Sequence, residues 1–428
     1  MSRRQAITRR GVIQAAAGGL AVGALGRPAR AAANGRIRCG IIGMGGRGMG
    51  HLSMLMNMEG IDVPAVCDIE AARVAMAVEA LTKAGRPRPD GYGEKGPDDY
   101  RRMLERKDLD AVVVATPVPE HARMSIDALN AGMAVLSEVG AAVTLDECWG
   151  LVHAASRSKK LYMLAENVCY YRECMAVLNM VRQGVFGPIT FGECGYVHDC
   201  RFLDFKPDGS LAWRGQMGFD HNGNIYPTHA VGPLAQWMDI NRSDRFVSLV
   251  SVSSRQAGIT RYAEKKFGPD SPQAKMPFRK GDMNICLIRT ANGALVEVRY
   301  DTSSSRPLHS TTIHGLQGEK AAYQSTTGEI WIEGRSEKYA WEPFSKYRGE
   351  FDHEDWKRHE KEAMKTGHGG ADFFTVKAFL DALRSGGPSP IDACDAATWS
   401  AITPLSAESI RKGGAPVEFP DFRKPTTT

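Results

Sequence analysis

IRCGIIGMGGRGMGHLSML, residues 37–55, is the stretch that decides the fold of the first half of the chain. A short apolar run precedes a glycine-rich turn, and residues with helical spacing follow it. The turn reads G-x-G-x-x-G: Gly43 permits the tight turn, Gly45 lets the backbone approach a pyrophosphate, and Gly48 lets helix and strand pack closely. The first amide groups of the helix then face the anion. The stretch predicts a dinucleotide-binding phosphate turn made of Gly43, Gly45, Gly46, Arg47 and Gly48.

An acidic residue strengthens this prediction. The next predicted strand, 62–67, ends at Asp68, which lies 20 residues after Gly48. A carboxylate there accepts hydrogen bonds from the ribose hydroxyls of NAD and repels the 2′-phosphate of NADP. The alternative is a glycine-rich connection in an α/β domain that binds nothing. The strand, the helix and Asp68 together favour NAD as the cofactor.

The first 31 residues have the pattern of an export signal. Twin arginines, Arg9 and Arg10, precede a mild apolar stretch, Ala15 to Leu25, and a small-x-small site at 29–31 follows. A membrane anchor would need around 20 strongly apolar residues, whereas this stretch is shorter and rich in Ala and Gly. We predict a twin-arginine signal at 1–31 and a periplasmic or otherwise exported protein.

The charge and the cysteines exclude other classes. Residues 1–31 hold six Arg and no Lys, Asp or Glu, so removing them from a net charge of +5 leaves about −1. Nothing in that balance indicates nucleic-acid binding. The nine cysteines form no C-x-x-C pair and predict neither a zinc site nor a disulfide framework. His198-Asp199 lacks a ligand set of the required spacing, so no metal is predicted.

The pattern of predicted elements gives an α/β fold class. Residues 32–166 alternate strand and helix and predict a Rossmann domain, a doubly wound parallel sheet. Residues 167–428 are rich in β-segments and predict an α/β substrate domain with a large, mostly antiparallel open sheet that is covered on one face. Near the end, 371–383 and 393–412 look helical. Polar residues at the carboxyl ends of the parallel strands should line the active site.

Motifs along nearly the whole mature chain carry a resemblance. A Rossmann half followed by an open sheet resembles the Gfo/Idh/MocA oxidoreductases. Within that superfamily the chain more closely resembles glycoside hydrolase family 109, the NAD-dependent α-N-acetylgalactosaminidases. The residues that carry this resemblance are Glu166-Asn167-Val168-Cys169-Tyr170, Leu178 to Arg182, Gly195 to Asp199, Trp213-Arg214, Tyr226-Pro227-Thr228-His229, Met238 to Arg242, Gly367 to Gly370 and Thr398 to Ser406.

The resemblance implies contacts for cofactor and sugar. It places NAD against the glycine turn and against Asp68, Val118 to His121, Glu138, Val139, Asn167, Tyr226, Pro227, Thr228 and His229. It places the sugar against Tyr196, Arg214 and Tyr226. The implied partner is a small molecule or glycan with a terminal sugar. No membrane span is predicted in the mature protein, and a homo-oligomer is left open.

Two departures from the family patterns bear on the substrate. Most Gfo/Idh/MocA enzymes carry Glu-Lys-Pro where this chain has Glu138-Val139-Gly140, so the lysine that serves hydride transfer is missing. Relatives in family 109 carry a tyrosine after an Arg-Pro pair, where it meets the sugar. Here Leu308 and then His309 stand in that place. The sugar and its anomeric linkage are therefore less determined than the chemistry.

The family mechanism is a redox-assisted elimination. It implies oxidation of the sugar at C3, elimination across C1–C2, addition of water and re-reduction, with NAD retained. We assign Tyr170 as a candidate base for the C2 proton and His229 as the acceptor for the C3 hydroxyl proton. The alternatives are that Tyr170 merely packs at a strand–helix junction and that Thr228 merely caps a helix that starts near Val231.

Two other functions stay open at this point. A periplasmic NAD(P)-dependent sugar oxidoreductase resembling glucose–fructose oxidoreductase would share the signal, the fold and a trapped dinucleotide. The absent lysine argues against it. A non-catalytic protein that binds sugar and contains NAD is the other alternative.

Overall fold

The computed structural model describes residues 35–307 and 312–424. The predicted export signal, Leu308 and His309 lie outside these residues. Two sheets organise the described part of the chain, one of six strands and one of nine.

The first sheet is parallel and doubly wound. Its strands are β1 (Ile37–Ile42), β2 (Ile61–Cys67), β3 (Asp90–Tyr92), β4 (Ala111–Val114), β5 (Ala134–Ser137) and β6 (Tyr162–Leu164), in the order β3-β2-β1-β4-β5-β6. Its helices are α1 (Gly46–Asn57), α2 (Ala71–Lys83), α3 (Tyr100–Leu104), α4 (Val118–Asn130) and α5 (Leu145–Ser158). The strand order reverses between β1 and β4, and ligands bind in the crevice beyond such a point.

Local sequence explains these elements. Strand β4 is Ala-Val-Val-Val, and every one of its residues is buried, as a parallel strand between two layers of helices requires. Helix α5 starts with a capping box, in which the Thr144 hydroxyl accepts from the Glu147 N–H and the Glu147 carboxylate accepts from the Thr144 N–H. The parallel first sheet confirms the predicted Rossmann fold.

The second half is built on a mixed sheet of nine strands within the described residues. Its order is β14-β13-β12-β11-β7-β10-β9-β8-β15, with β7 and β10 parallel and the other pairs antiparallel. The strands are β7 (Ile189–Val197), β8 (Phe246–Ser253), β9 (Asn284–Thr290), β10 (Leu295–Asp301), β11 (Thr312–Gly318), β12 (Ala321–Gln324), β13 (Glu329–Ile332), β14 (Glu342–Pro343) and β15 (Val417–Glu418). Buried and exposed residues alternate along β9, so one face of the sheet is covered. The predicted open sheet is confirmed.

Nine further helices accompany this sheet in the part of the chain that the structure describes. They are α6 (Arg172–Arg182), α7 (Trp213–Asp220), α8 (Thr228–Trp237), α9 (Gly258–Phe267), α10 (Ser345–Phe351), α11 (Glu354–Ala363), α12 (Ala371–Ser385), α13 (Ala393–Ser400) and α14 (Ile402–Arg411). The helical structure expected over 393–412 is confirmed, and it is divided into two helices at Ala401. Pro404 has no N–H for the Ser400 carbonyl, and its ring would clash with that carbonyl in a continuous helix.

The last part of the chain returns to the first sheet. Helix α13 packs on α5 and β6, and α12 packs on α1. The Leu164 N–H of β6 donates to the carbonyl of Ile391 at 3.1 Å. Residues far along the chain therefore reach the cofactor crevice, although the sequence predicts them within the second domain.

Several chemical features complete the fold. All nine cysteines are free, and all but Cys394 are buried. Within residues 35–307 and 312–424, no three side chains of His, Cys, Asp or Glu come together as a metal-ligand set. In the same ranges, no helix combines the length and apolarity needed to cross a bilayer.

Candidate active site

The glycine turn joins β1 to α1 with very little space. Gly43 has φ +90°, and a Cβ placed on it would lie 2.6 Å from the carbonyl oxygen of Ala115. A Cβ on Gly48 would lie 1.8 Å from the carbonyl oxygen of Gly43, so a side chain there would separate helix from strand. A Cβ on Gly46 would meet nothing within 4 Å. The first-turn amides of α1 have no partner within the helix and suit a phosphate.

Asp68 lies against this turn, as predicted from its position after β2. It is 8% exposed. One carboxylate oxygen accepts from the Met44 N–H at 2.7 Å, and the other accepts from the Glu70 N–H at 2.9 Å. A guanidinium nitrogen of Arg73 lies 4.0 Å from the carboxylate. The acid is therefore held where a ribose beside the turn would meet it.

Val118 and His121, at the start of α4, join two loops at the carboxyl edge of the sheet. The ring nitrogens of His121 lie 2.6 Å from the carbonyl oxygen of Thr116 and 3.0 Å from that of Gly140. A Cβ on Gly140 would lie 2.8 Å from Val118. Burial lowers the pKa of His121. This pair fixes the loop that carries Glu138 and Val139.

Glu138 is held by Arg47 and His51. One of its carboxylate oxygens, Oε1, lies 2.7 Å from a guanidinium nitrogen of Arg47 and 2.7 Å from Nε2 of His51. Burial alone would raise the pKa of Glu138, but the charge of Arg47 and the hydrogen bond from His51 outweigh burial and hold the pKa below its ordinary value. Next to it, Val139 is buried. Glu138 therefore stays ionised, and an apolar side chain stands where most of the superfamily has lysine.

Asp372 closes this network from the second half of the chain. Its carboxylate accepts from Arg47 at 2.9 Å and from the Asn167 side-chain amide at 2.7 Å, and Nδ1 of His368 lies 2.9 Å away. Burial would raise the pKa of Asp372, but hydrogen bonds from His368 and Arg47 hold it well below its usual range. The carbonyl oxygen of the Asn167 side chain is buried without a partner among the described residues. A ribose hydroxyl or a carboxamide fits such an acceptor.

His229 is held by a carboxylate that lies directly after β6. Nδ1 of His229 lies 2.6 Å from Oε1 of Glu166, which is 0% exposed. A Cβ on Gly232 would lie 2.9 Å from the Glu166 side chain, so this glycine lets α8 approach the strand end. With Nδ1 donating to the carboxylate oxygen, Nε2 is the ring nitrogen left to accept a hydrogen bond. This arrangement suits a proton acceptor.

Three residues predicted to meet the sugar form one cluster with His229. The rings of Tyr196 and Tyr226 lie 5.4 and 5.2 Å from the His229 ring. The Arg214 guanidinium lies 4.4 Å from the Tyr226 ring and 4.8 Å from the Trp213 ring. Arg214 is 7% exposed, and its Nε and Nη1 have no hydrogen-bond partner among the described residues. A buried cation with free donors, among aromatic rings, suits the oxygens of a sugar.

The turn before His229 begins α8. Pro227 is the residue before the helix, and Thr228 is its first residue. The Thr228 hydroxyl makes no capping hydrogen bond and is buried without a partner among the described residues. The alternative role of Thr228 as a helix cap is therefore wrong. Burial raises the pKa of Tyr226 to about 12, and the nearby charges of Glu138 and Glu166 act in the same direction. Tyr226 therefore lies within electrostatic reach of Glu138, which belongs to the cofactor cleft.

Tyr170 stands apart from these hydrogen bonds. Its hydroxyl is buried and has no partner among the described residues, while its carbonyl accepts from the Trp356 indole at 3.0 Å. Burial raises the pKa of Tyr170, and the acidic groups of Cys169 and Asp355 raise it further. The role of Tyr170 as the C2 base stays a prediction, and it requires a cation near the hydroxyl during turnover.

The neighbouring Tyr171 was not predicted. Burial raises its pKa to about 12, with Glu166, Cys174 and Asp372 raising it further and Arg47 lowering it. Charged groups from both halves of the cleft therefore affect the pKa of Tyr171.

Sequence reasoning also missed Glu166 and Asp372 as site residues. Glu166 carried a signal, because it follows a buried strand and precedes Asn167, but only Asn167 was assigned. Asp372 lies 205 residues from Asn167 along the chain, and no local pattern connects the two. The structure brings Glu138 and Asn167 together around Arg47 and Asp372, and it brings Tyr196, Arg214 and Tyr226 together with His229. Their individual roles stay predictions.

Together, the fold and the site define a class. A Rossmann sheet with an open phosphate turn and an acid beside it binds NAD, and an open-sheet domain brings a histidine, an arginine and tyrosines to the same crevice. This combination is that of an NAD-dependent enzyme acting on a sugar-like molecule.

Comparison with known proteins gives the family. Residues 170–427 match the C-terminal domain of glycosyl hydrolase 109, and residues 37–166 match the NAD-binding Rossmann fold of an oxidoreductase family. A glycosyl hydrolase family 109 protein of Stenotrophomonas maltophilia is 38% identical, over 90% of this chain and 89% of its own. An α-N-acetylgalactosaminidase of Tannerella forsythia is 36% identical, over 91% of this chain and 87% of its own. The chain belongs to glycoside hydrolase family 109, as the resemblance predicted.

Solved structures support the fold. A levoglucosan dehydrogenase in complex with NADH has a TM-score of 0.68 at 19% identity, covering 90% of this chain and 100% of its own. A myo-inositol dehydrogenase of Lactobacillus casei, in complex with NAD(H) and myo-inositol, has a TM-score of 0.61 at 17% identity, covering 91% and 99%. The protein is an NAD-dependent enzyme of the glycoside hydrolase class.

Proposed function

We propose that this enzyme hydrolyses terminal N-acetylgalactosaminides, with α-linked GalNAc as the substrate, by oxidation at C3, elimination across C1–C2, addition of water and re-reduction. The observation that carries the proposal is the Glu166–His229 pair, which lies among Tyr196, Arg214 and Tyr226 and adjoins the cofactor cleft. The 36% identical Tannerella forsythia enzyme bears the name of this activity.

His229 serves the oxidation at C3. With Nδ1–H fixed on Glu166, Nε2 accepts the proton of the C3 hydroxyl, and the buried carboxylate stabilises the imidazolium that forms. NAD, when bound, supplies the acceptor for the C3 hydride and later returns it. The residues that would hold it are the glycine turn, Asp68, Asn167 and the loop at Glu138.

Arg214 serves the elimination. A ketone at C3 acidifies the proton on C2, and removal of that proton places negative charge on the C3 oxygen. The free guanidinium donors of a buried arginine stabilise such a charge strongly, because little water screens it. Tyr170 is the proposed base. The glycosidic oxygen leaves from C1 as the C1–C2 double bond forms and takes up a proton, and water then adds its hydroxyl to C1 and a proton to C2.

The carboxylates support elimination rather than a conventional glycosidase. An ordinary hydrolase needs one acid and one base or nucleophile across the scissile bond. In the cleft, Glu138 is paired with Arg47 and His51, Asp372 with Arg47 and His368, and Glu166 with His229. Each of these carboxylates already has a partner that holds it in place.

The test is a screen of α- and β-nitrophenyl glycosides of GalNAc, GlcNAc, galactose and glucose, with and without added NAD. We expect release of nitrophenol from α-GalNAc with no net formation of NADH. Net NADH with free sugars would favour the sugar oxidoreductase, and binding without turnover would favour the non-catalytic alternative. Either result would reject the proposal.

We also propose that the protein is exported by the twin-arginine pathway. The support is the Arg9-Arg10 pair and the mild apolar stretch that follows it. Replacing both arginines by lysine should leave the full-length precursor in the cytoplasm of a host with this pathway. Normal export of that variant would reject the proposal.

A further inference from the structure

A buried ion pair lies behind the helix that carries Arg214. Nζ of Lys280 lies 3.2 Å from one carboxylate oxygen of Asp204 and 3.4 Å from the other. Both side chains are at most 1% exposed, and no other lysine of the described residues is buried. Two buried charges are costly compared with apolar side chains of similar volume, so the pair calls for a reason other than stability. The sugar chemistry above uses neither residue.

Both residues of the pair pack directly on the backbone of α7. The N–H of Ala212, which precedes the helix, donates to the Asp204 carbonyl at 2.9 Å, and the Lys280 N–H donates to the Gly218 carbonyl at 3.0 Å. A Cβ on Gly215 would lie 2.1 Å from the Asp204 carbonyl oxygen, and a Cβ on Gly218 would lie 2.6 Å from the Lys280 side chain. The pair therefore touches α7 near its beginning and near its end.

Arg214, the second residue of α7, lies within electrostatic reach of the same carboxylate. Burial raises the pKa of Asp204, whereas the charge and hydrogen bond of Lys280 and the charge of Arg214 act in the opposite direction. The Arg214 guanidinium nevertheless lies against the rings of Trp213 and Tyr226, and its Nε and Nη1 have no partner among the described residues. One buried carboxylate thus lies near two cations and forms its ion pair with Lys280.

We propose that Lys280 is a positioning residue for Arg214: by pairing with Asp204, it leaves the guanidinium donors of Arg214 free for the sugar. A buried carboxylate that loses its partner is strongly destabilising and attracts the nearest cation. Without Lys280, Asp204 would therefore draw Arg214 away from the crevice. The inference rests on the proposed role of Arg214 at the sugar, but the position of the guanidinium can be tested without any substrate.

The test compares Lys280→Met, Asp204→Asn and the variant with both changes. In crystals of Lys280→Met, we expect the Arg214 guanidinium within about 4 Å of the Asp204 carboxylate. The kcat/KM of this variant on the α-GalNAc nitrophenyl glycoside should fall roughly tenfold or more, because a donor to the developing charge is lost. In Asp204→Asn and in the double variant no charge draws Arg214 inwards. The guanidinium should then stay against Tyr226, and kcat/KM should stay close to the parental value.

The matched control is Lys346→Met, which breaks another lysine–carboxylate pair, with Glu342 at 2.7 Å, on α10. Its kcat/KM should equal that of the parent. A pair that only supports the fold would behave differently, because losing either partner would then have the same effect. Equal losses of kcat/KM in Lys280→Met and Asp204→Asn would therefore overturn the inference. An Arg214 guanidinium that stays against Tyr226 in Lys280→Met would overturn it as well.

Two further outcomes are also decisive. If Lys280→Met does not fold, the double variant decides, since it buries no unpaired charge: a parental kcat/KM supports the inference, and a tenfold loss overturns it. If the parent cleaves none of the glycosides, the proposed function fails. The position of Arg214 in the crystals of the variants then still decides whether Lys280 keeps the guanidinium free.

Discussion

Nδ1 of His229 lies 2.6 Å from Oε1 of Glu166, while the second oxygen of the same carboxylate is buried without a partner among the described residues. Oε1 also accepts from the Val168 N–H at 3.2 Å, so His229 is the side-chain partner of a carboxylate that the backbone holds in place. Such a pair holds the ring in one tautomer and strengthens it as a proton acceptor.

Replacing Glu166 by Gln should therefore slow turnover without releasing the cofactor. A charge-assisted hydrogen bond contributes about 1.5–3 kcal/mol, which corresponds to a loss of roughly 10- to 150-fold in kcat. Glu59→Gln, on the surface, is the control. If kcat of Glu166→Gln matches that of the parent, Glu166 has no role through His229.

Replacing Asp68 by Ala should weaken NAD binding. The carboxylate lies against the glycine turn, where two ribose hydrogen bonds would each contribute about 1.5–3 kcal/mol. Discrimination against NADP should fall at the same time, because the charge that repels the 2′-phosphate is gone. Calorimetric titration of the stripped enzyme with both dinucleotides measures the two effects. An unchanged affinity for NAD would remove Asp68 from the cofactor site.

Leu308→Tyr tests the departure from the family pattern. Restoring a phenol hydroxyl at this position should raise kcat/KM on α-GalNAc relative to other sugars, because a site that bonds a sugar hydroxyl discriminates against analogues that lack it. The nitrophenyl glycoside panel gives the ratio for both proteins. Identical profiles would mean that Leu308 does not face the sugar, and His309→Ala would then show whether the adjacent residue does.

His314 should make stability depend on pH. Nε2 of this buried histidine donates to the Ala230 carbonyl at 3.0 Å, and burial lowers its pKa to about 4. The unfolded chain takes up a proton near pH 6.5, and the folded chain does not. The contribution of His314 to the free energy of unfolding is therefore complete above pH 6.5. It is lost as the pH falls towards 4, by roughly 3 kcal/mol in all.

His314→Gln keeps a donor for the carbonyl of Ala230 and cannot titrate. The free energy of unfolding of this variant, measured with urea at several pH values, should fall less steeply between pH 6.5 and 4 than that of the parent. Equal slopes would contradict the assignment. His121 is also buried with a lowered pKa, so some dependence on pH should remain.

The parts of this protein that could be predicted from sequence are those set by short-range physics. The glycine turn was predictable because the contacts that require glycine at 43 and 48 come from within the turn and from the end of one neighbouring strand. Asp68 was predictable because the end of a parallel strand fixes its position. The break at Ala401 was also present in the sequence, in Pro404, and was overlooked.

Other features depend on contacts between distant parts of the chain. In the sequence, Arg47 is recognisable only as a residue of the phosphate turn. In the structure it also bonds Asp372, which lies on α12, 325 positions later in the chain. Likewise, the strain at His368 arises in the folded turn, and the motif Gly-His-Gly-Gly alone does not show which residue is left-handed. These features follow from how α12 returns to the first sheet, which no local pattern encodes.

The last prediction concerns the base that removes the C2 proton. Elimination requires that proton to leave, so sugar released in D₂O should carry deuterium at C2, as measured by mass spectrometry or NMR. Thioglycosides should also be cleaved, since elimination does not require protonation of the leaving atom. Tyr170→Phe should abolish most of the exchange and leave NAD bound, because only a buried hydroxyl is lost.

Tyr171→Phe is the matched comparison, since Tyr171 adjoins Tyr170 in the chain and its pKa is affected by the charges of Glu166 and Arg47. Loss of exchange in Tyr170→Phe alone would identify the base, and loss in Tyr171→Phe alone would transfer the role to its neighbour. Full turnover in D₂O without deuterium at C2 would reject the elimination, unless the base returns its own proton to the same carbon. The rate with a C2-deuterated substrate separates these two cases, because a shielded base must still break the C2–deuterium bond and turnover slows, whereas a mechanism without elimination leaves that bond intact.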